Sequence, residues 1–209
     1  MFILYAVPVG LLLGWLLGGR MARLEEVRLR WAAVAVSGLV VQLALFSGPV
    51  VERIGAAGTP VYVGSTALVL AALLRNVRVP GLAVVAVGAL SNLAAIVANG
   101  GSMPASPAAL AALGKTIGSE YSNSVLGTDP ALEPLTDVFA MPGWMPMANV
   151  FSIGDVLIGV GIAIAIAVAM RGGASGNLPP KYPDPGTHGP WSGEPADHTV
   201  AEKATTAFR

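Results

Sequence analysis

The chain has 209 residues, of which 54% are hydrophobic and only 11% charged, whereas a soluble domain carries charge at about a quarter of its positions; this composition belongs in a bilayer. Twelve basic and twelve acidic residues give a formal charge of zero, which removes the general attraction a nucleic-acid-binding protein needs. The absence of cysteine excludes disulfides, thiolate nucleophiles and cysteine-ligated metals, and both histidines, His188 and His198, lie beyond the last apolar segment.

Five apolar runs are predicted to be membrane helices, at about 2–19, 31–50, 61–74, 81–98 and 153–170. The first would span about 27 Å as a helix, close to the hydrocarbon thickness. No basic stretch precedes it and no small-x-small cleavage site follows it, so it reads as a retained helix rather than a signal peptide. Its Pro8 is expected to bend it. The third run is short for a span. Pro60 can begin it and the stem of Arg75 can extend it, although a helix lying on the surface is an alternative.

The connections carry the orientation. Arg20, Arg23, Arg28 and Arg30 follow the first run, Arg75 and Arg78 join the third to the fourth, and Arg171 follows the fifth. The other connections hold only Arg53 and Lys115 as basic residues. Positively charged loops stay in the cytoplasm, so the N-terminus and the long fourth connection are expected outside and the C-terminus inside. Residues 172–209, with six of the sixteen prolines, read as a disordered cytoplasmic tail beside a membrane domain of residues 1–171. The two tail histidines are too far apart to suggest a metal site.

The external connection, 99–152, is long for a plain linker. It holds an Asn-Gly-Gly turn, an apolar stretch at 105–113, several acids and Trp144 between prolines. This pattern predicts a short interfacial helix and an ordered cap, with Trp144 at the headgroup level. Ser152-Ile-Gly-Asp155 fits a capping box at the start of the last helix, a local structural role for both residues. Alternatively, Asp137 and Asp155 face one another as an acid/base pair around a water, because two close carboxylates resist ionising together. Asn92 and Asn99 are then candidate amide donors to a substrate, with Trp144 beside them. Gln42, costly if it faces lipid, is expected to form an interhelical hydrogen bond.

Two stretches, SNLAAIVANGGSMP at 91–104 and MPGWMPMANVFSIGDVLIGVG at 141–161, resemble an uncharacterised family of bacterial polytopic membrane proteins, a domain of unknown function, over most of residues 1–170. The second stretch also bears a partial resemblance to lipoprotein signal peptidases, the membrane aspartyl enzymes that cut lipid-modified precursors. Asp155 matches their catalytic aspartate, and Asp137, 18 residues earlier, matches its partner. Ser152 and Gly154 depart from the asparagine and alanine of that motif, and Ala95 stands where the Asn92 motif would carry another aspartate.

The resulting expectation is an all-α polytopic protein of the bacterial inner membrane, with five transmembrane helices and a structured external loop between the fourth and fifth. Three functions fit: a scaffold or assembly subunit, an aspartyl-peptidase-like hydrolase of a lipid-linked substrate, and a carrier or lipid-binding module. Membrane lipids, a membrane protein partner or a lipid-linked substrate are the expected partners. No nucleic acid, metal or cofactor is required.

Overall fold

A computed structural model of the chain describes residues 2–45, 53–114, 124–126 and 129–173. The tail beyond 173 with its two histidines, Lys115 and Glu120 of the long connection, and the 46–50 end of the second apolar run lie outside the described residues.

The chain is mostly helical. Its helices are α1 (Ala6–Leu16), α2 (Ala32–Leu45), α3 (Gly58–Arg75), α4 (Leu82–Ala98), the short α5 (Pro107–Ala112) and α6 (Ile153–Met170). Of the five expected spans, α3 and α6 are long and apolar enough to cross a membrane, while α1 with its lead-in turn, α2 and α4 are shorter apolar helices. The third run is therefore not the deficient one. Thr59 and Pro60 fall inside its first turn, where proline's missing N–H costs nothing, and Arg75 closes its last. Pro8 likewise sits in the first turn of α1, behind a 3-10 turn at Phe2–Tyr5. It starts the helix there and does not break an interior.

The five long helices form a row in which α1 lies on α6, α6 on α4, α4 on α3 and α3 on α2. Small residues set the close approaches. Gly88 backs onto the carbonyl of Gly154, and Gly81 onto that of Gly161, so α4 and α6 run antiparallel almost backbone to backbone. Gly10 faces Ala163 and Gly14 faces Met170, so α1 runs parallel to α6. The Gln42 amide donates to Thr66 Oγ1 at 3.1 Å, while Arg30 pairs through its backbone with Asn76, making α2 and α3 antiparallel.

This arrangement sorts the charges by end. One end collects the start of α2, the turn between α3 and α4, and the ends of α1 and α6. It therefore holds Arg20, Arg23, Arg28, Arg30, Arg75, Arg78 and Arg171, with Glu25 and Glu26. Asn76 ties it together: Nδ2 donates to the carbonyls of Ala72 and Arg30, both at 2.7 Å, and Oδ1 accepts from the Arg30 amide at 2.8 Å. The opposite end holds Asp129, Glu133, Asp137 and Asp155, with Arg53. Between the ends the helices expose a band of large apolar side chains, among them Leu12 and Leu16 of α1, Val36, Val40 and Leu43 of α2, Leu68 of α3, Leu90 of α4 and Val160 of α6. Large apolar side chains are thus exposed on all five long helices.

A cap covers the acidic end, and it contains short strands that an all-α reading does not anticipate. Strand β1 (Met103–Ala105) pairs in parallel with β2 (Ser124–Leu126), and β3 (Phe139–Ala140) pairs antiparallel with β4 (Val150–Phe151). The expected interfacial helix is α5, six residues long. Two small apolar clusters seat the cap. Ala95, Ile96 and Met103 pack with Tyr62, Val63 and Leu135, and Ala105, Ala109 and Val150 pack with Leu110, Leu113 and Ala140. At its margin Phe2, Phe151 and Phe139 stack in series, with ring centroids 4.3 and 5.5 Å apart, joining the lead-in of α1 to the β3–β4 pair.

Candidate functional site

The start of α6 is built as its sequence dictates. Ser152 is extended at φ −101°, ψ 170°, and its hydroxyl accepts the Asp155 amide at 3.1 Å. The Asp155 carboxylate returns the bond by accepting the Ser152 amide on Oδ2 at 3.2 Å. Two of the four amides left without helical partners at an N-terminus are thereby satisfied. Capping continues into a bond between helices. Asn92 Nδ2 donates to Asp155 Oδ1 at 2.8 Å, and Ser152 Oγ donates to Asn92 Oδ1 at 2.8 Å. Asn92, Ser152 and Asp155 thus close a ring in which both amide atoms and both carboxylate oxygens have a partner. Ser152, at the centre, is wholly buried at 0% exposure.

Gly154 makes room for this ring. A Cβ there would collide with Asn92 Oδ1 and would come within 2.8 Å of the Gly88 carbonyl. Only a residue with no side chain lets the asparagine amide lie across the first turn of α6.

Asp137 reaches the same end by another route. Its amide donates to the Pro104 carbonyl and its own carbonyl accepts from the Ser106 amide, both at 3.0 Å, so it lies beside β1 in a parallel bridge to Ala105. Asp137 is 8% exposed and follows the nearly inaccessible Thr136, whose hydroxyl donates to the Glu133 carbonyl at 2.7 Å. Tyr62, one turn into α3, packs with Val63 and Leu135 against Ala95, Ile96 and Met103 beneath the cap. Sequence reasoning did not single it out. The available signal was a phenol with Ser65 and Thr66 in an otherwise apolar run; both of those hydroxyls donate to the Tyr62 carbonyl, at 2.8 and 2.9 Å.

The other sequence candidates lie elsewhere. Asn99 ends α4, where Gly100 at φ +69° takes the left-handed turn and Gly101 donates back to Ile96. The Asn99 amide donates to the carbonyls of Ala95 and Ala131, both at 2.8 Å, and accepts the Ala131 amide at 2.9 Å. Its hydrogen-bonding groups are spent on fastening the cap. Trp144 is 83% exposed on the turn between β3 and β4, apart from the ring. Gln42 bonds to Thr66 across α2 and α3.

Chemically, the site offers two carboxylates, a phenol and a carboxamide at one end of an apolar helix row. One oxygen lone pair on each side of Asp155 is used internally, leaving further acceptor positions toward the partly exposed face. Among the described residues no group of three or more histidines, cysteines or acids is arranged to hold a metal ion.

Neither the curated proteins nor the solved structures give a match to this chain. The family described as "Family of unknown function (DUF5317)" matches residues 26–167. The matched region begins after α1, takes up most of residues 1–170 as the resemblance implies, and covers α2 to α5, the cap, the Asn92–Ser152–Asp155 ring and nearly all of α6. The comparisons return this family and not the signal peptidases. With about two thirds of its length matched, the chain belongs to this family of unknown function.

Proposed function

We propose that the chain is an integral membrane protein whose five apolar helices cross the bilayer, arginine end toward the cytoplasm and acidic cap outside, and that it acts as a scaffold or assembly subunit. The observation that carries the scaffold reading is the closed ring of Asn92, Ser152 and Asp155. It uses both oxygens of Asp155 in bonds that hold α4 to the start of α6, a structural role for the best-placed carboxylate. The membrane reading is supported by the apolar band between oppositely charged ends. It is also supported by tryptophans near both rims, Trp15 and Trp31 toward the arginines and Trp144 at the cap.

A second reading, hydrolysis of a lipid-linked substrate at the external face, is favoured by one observation: the buried Asp137 of the cap and Asp155 in the first turn of α6 lie at the same end of the helix row. In that reading one carboxylate activates a water and the other protonates the leaving group. One experiment separates the two. Wild type, Asp137→Asn and Asp155→Asn are compared for membrane insertion, for co-purification of a partner and for cleavage of lipid-modified precursors. The scaffold reading expects Asp155→Asn to lose the partner or the fold, because its amide would turn a donor toward a donor, with no turnover in any variant. Cleavage by wild type that both substitutions abolish, with folding retained, would replace it with the hydrolase.

A further inference from the structure

The arginine end presents a charge imbalance that the site at the cap does not use. Seven arginines gather there against Glu25 and Glu26, and among the described residues none of the seven is ion-paired. The most concentrated group surrounds the junction of α1 and α6. The Arg20 amide donates to the Met170 carbonyl at 2.8 Å, and Arg23 Nη1 donates to the Arg171 carbonyl at 2.6 Å. The Arg23 guanidinium lies against Gly172. These bonds neutralise the carbonyl end of α6, where the helix dipole would repel an anion, and hold the backbones of Arg20 and Arg171 together. The side chains of Arg20 and Arg171 are exposed and, among the described residues, make no hydrogen bond or ion pair.

Directly adjoining this group is apolar surface. Trp15 is 68% exposed, and Leu12, Leu16 and Leu17 are exposed beside it along the end of α1. A ligand that fits must therefore join a negative head to an apolar body, with the head at the helix ends and the body along α1. We infer that the Arg20, Arg23 and Arg171 junction is a binding site for an anionic phospholipid of the cytoplasmic leaflet, the phosphate engaging the guanidinium groups and the acyl chains lying on α1. The inference rests on the membrane-spanning reading and adds to it a preferred lipid at a named junction. α1, which lies outside the family match, supplies the apolar wall and, through the turn that follows it, Arg20 and Arg23.

The test exchanges the full-length purified protein into mixed micelles of phosphatidylglycerol and phosphatidylcholine at equal mole fraction and measures retained lipid by native mass spectrometry. Each arginine near a headgroup layer changes partition by about fivefold. Wild type is expected to retain phosphatidylglycerol preferentially. The double substitution Arg20→Gln with Arg171→Gln should reduce that preference by at least tenfold, while Arg53→Gln at the other end leaves it unchanged. Equal retention of the two lipids by wild type, or a preference the double substitution does not alter, overturns the inference while leaving the membrane reading standing. Recovery of the protein in the soluble fraction without detergent would overturn both. Should the double variant not fold, the wild-type preference is measured against salt: a decline as salt rises supports the site, and a preference independent of salt refutes it.

Discussion

Replacing Asn92 by alanine removes two hydrogen bonds that join α4 to α6, one to the Asp155 carboxylate and one from the Ser152 hydroxyl, both 2.8 Å long. Interhelical side-chain bonds in membrane proteins contribute about 0.6 kcal/mol each on average and up to about 1.7. The bond to the carboxylate is charge-assisted and belongs at the upper end. Asn92→Ala should therefore cost about 1–2.5 kcal/mol. That range excludes both a surface substitution, which would cost almost nothing, and the much larger loss expected if the amide were the sole partner of a buried charge. The Ser152 amide still serves Asp155 Oδ2 in the variant. Reversible unfolding of the protein in bicelles, for Asn92→Ala, Ser152→Ala and the pair, gives the coupling between them. Because Ser152 Oγ donates directly to Asn92 Oδ1, the double variant should be less damaged than the sum by about 0.5–1.5 kcal/mol. Additivity within about 0.3 kcal/mol would refute the closed ring.

Gly154→Ala should destabilise the fold by about 1–3 kcal/mol through collision with Asn92 Oδ1. Gly64→Ala, where a Cβ meets nothing within 4 Å on helix α3, should be neutral or stabilising, and thermal unfolding of the two variants checks the opposite signs. Asn99→Ala frees Ala131 from both of its asparagine bonds, so limited proteolysis should cut near 129–135 faster than in wild type while the helices stay protected. Phe151→Ala removes the ring shared by Phe2 and Phe139. It should loosen the N-terminal turn from the cap, seen as faster amide exchange at residues 2–5.

What the sequence made legible was mostly local or compositional. The Ser152–Asp155 capping box needs only four consecutive residues, and the Asn-Gly-Gly turn only three, so their geometry follows from the local chain. Asn92 and Gln42 stood out because a carboxamide in an apolar run demands a partner, though which partner is a question of helix order. Tyr62 escaped notice because a phenol near a helix end is ordinary at a membrane surface. Its surroundings come from Ala95, Met103 and Leu135, which arrive from segments 33, 41 and 73 residues away. The cap strands are two or three residues long, too short for an alternating pattern to register. The sequence shows the position of Asn99 beside the loop and not the Ala131 backbone it meets, which the fold of the cap supplies. The role of Gly154 was likewise hidden, since the clash it avoids is with a residue on another helix.

In the proposed membrane arrangement the two charged ends face opposite sides of the bilayer. Because the chain has no cysteine, single introduced cysteines report one site each. Gly143→Cys places a thiol on the exposed turn of the cap, where a Cβ meets nothing within 4 Å, and Val77→Cys places one on the exposed turn of the arginine end. A membrane-impermeant maleimide applied to intact cells should label Cys at 143 and reach Cys at 77 only after permeabilisation. Labelling of both positions from the same side, or loss of both from the membrane fraction, would contradict the central claim.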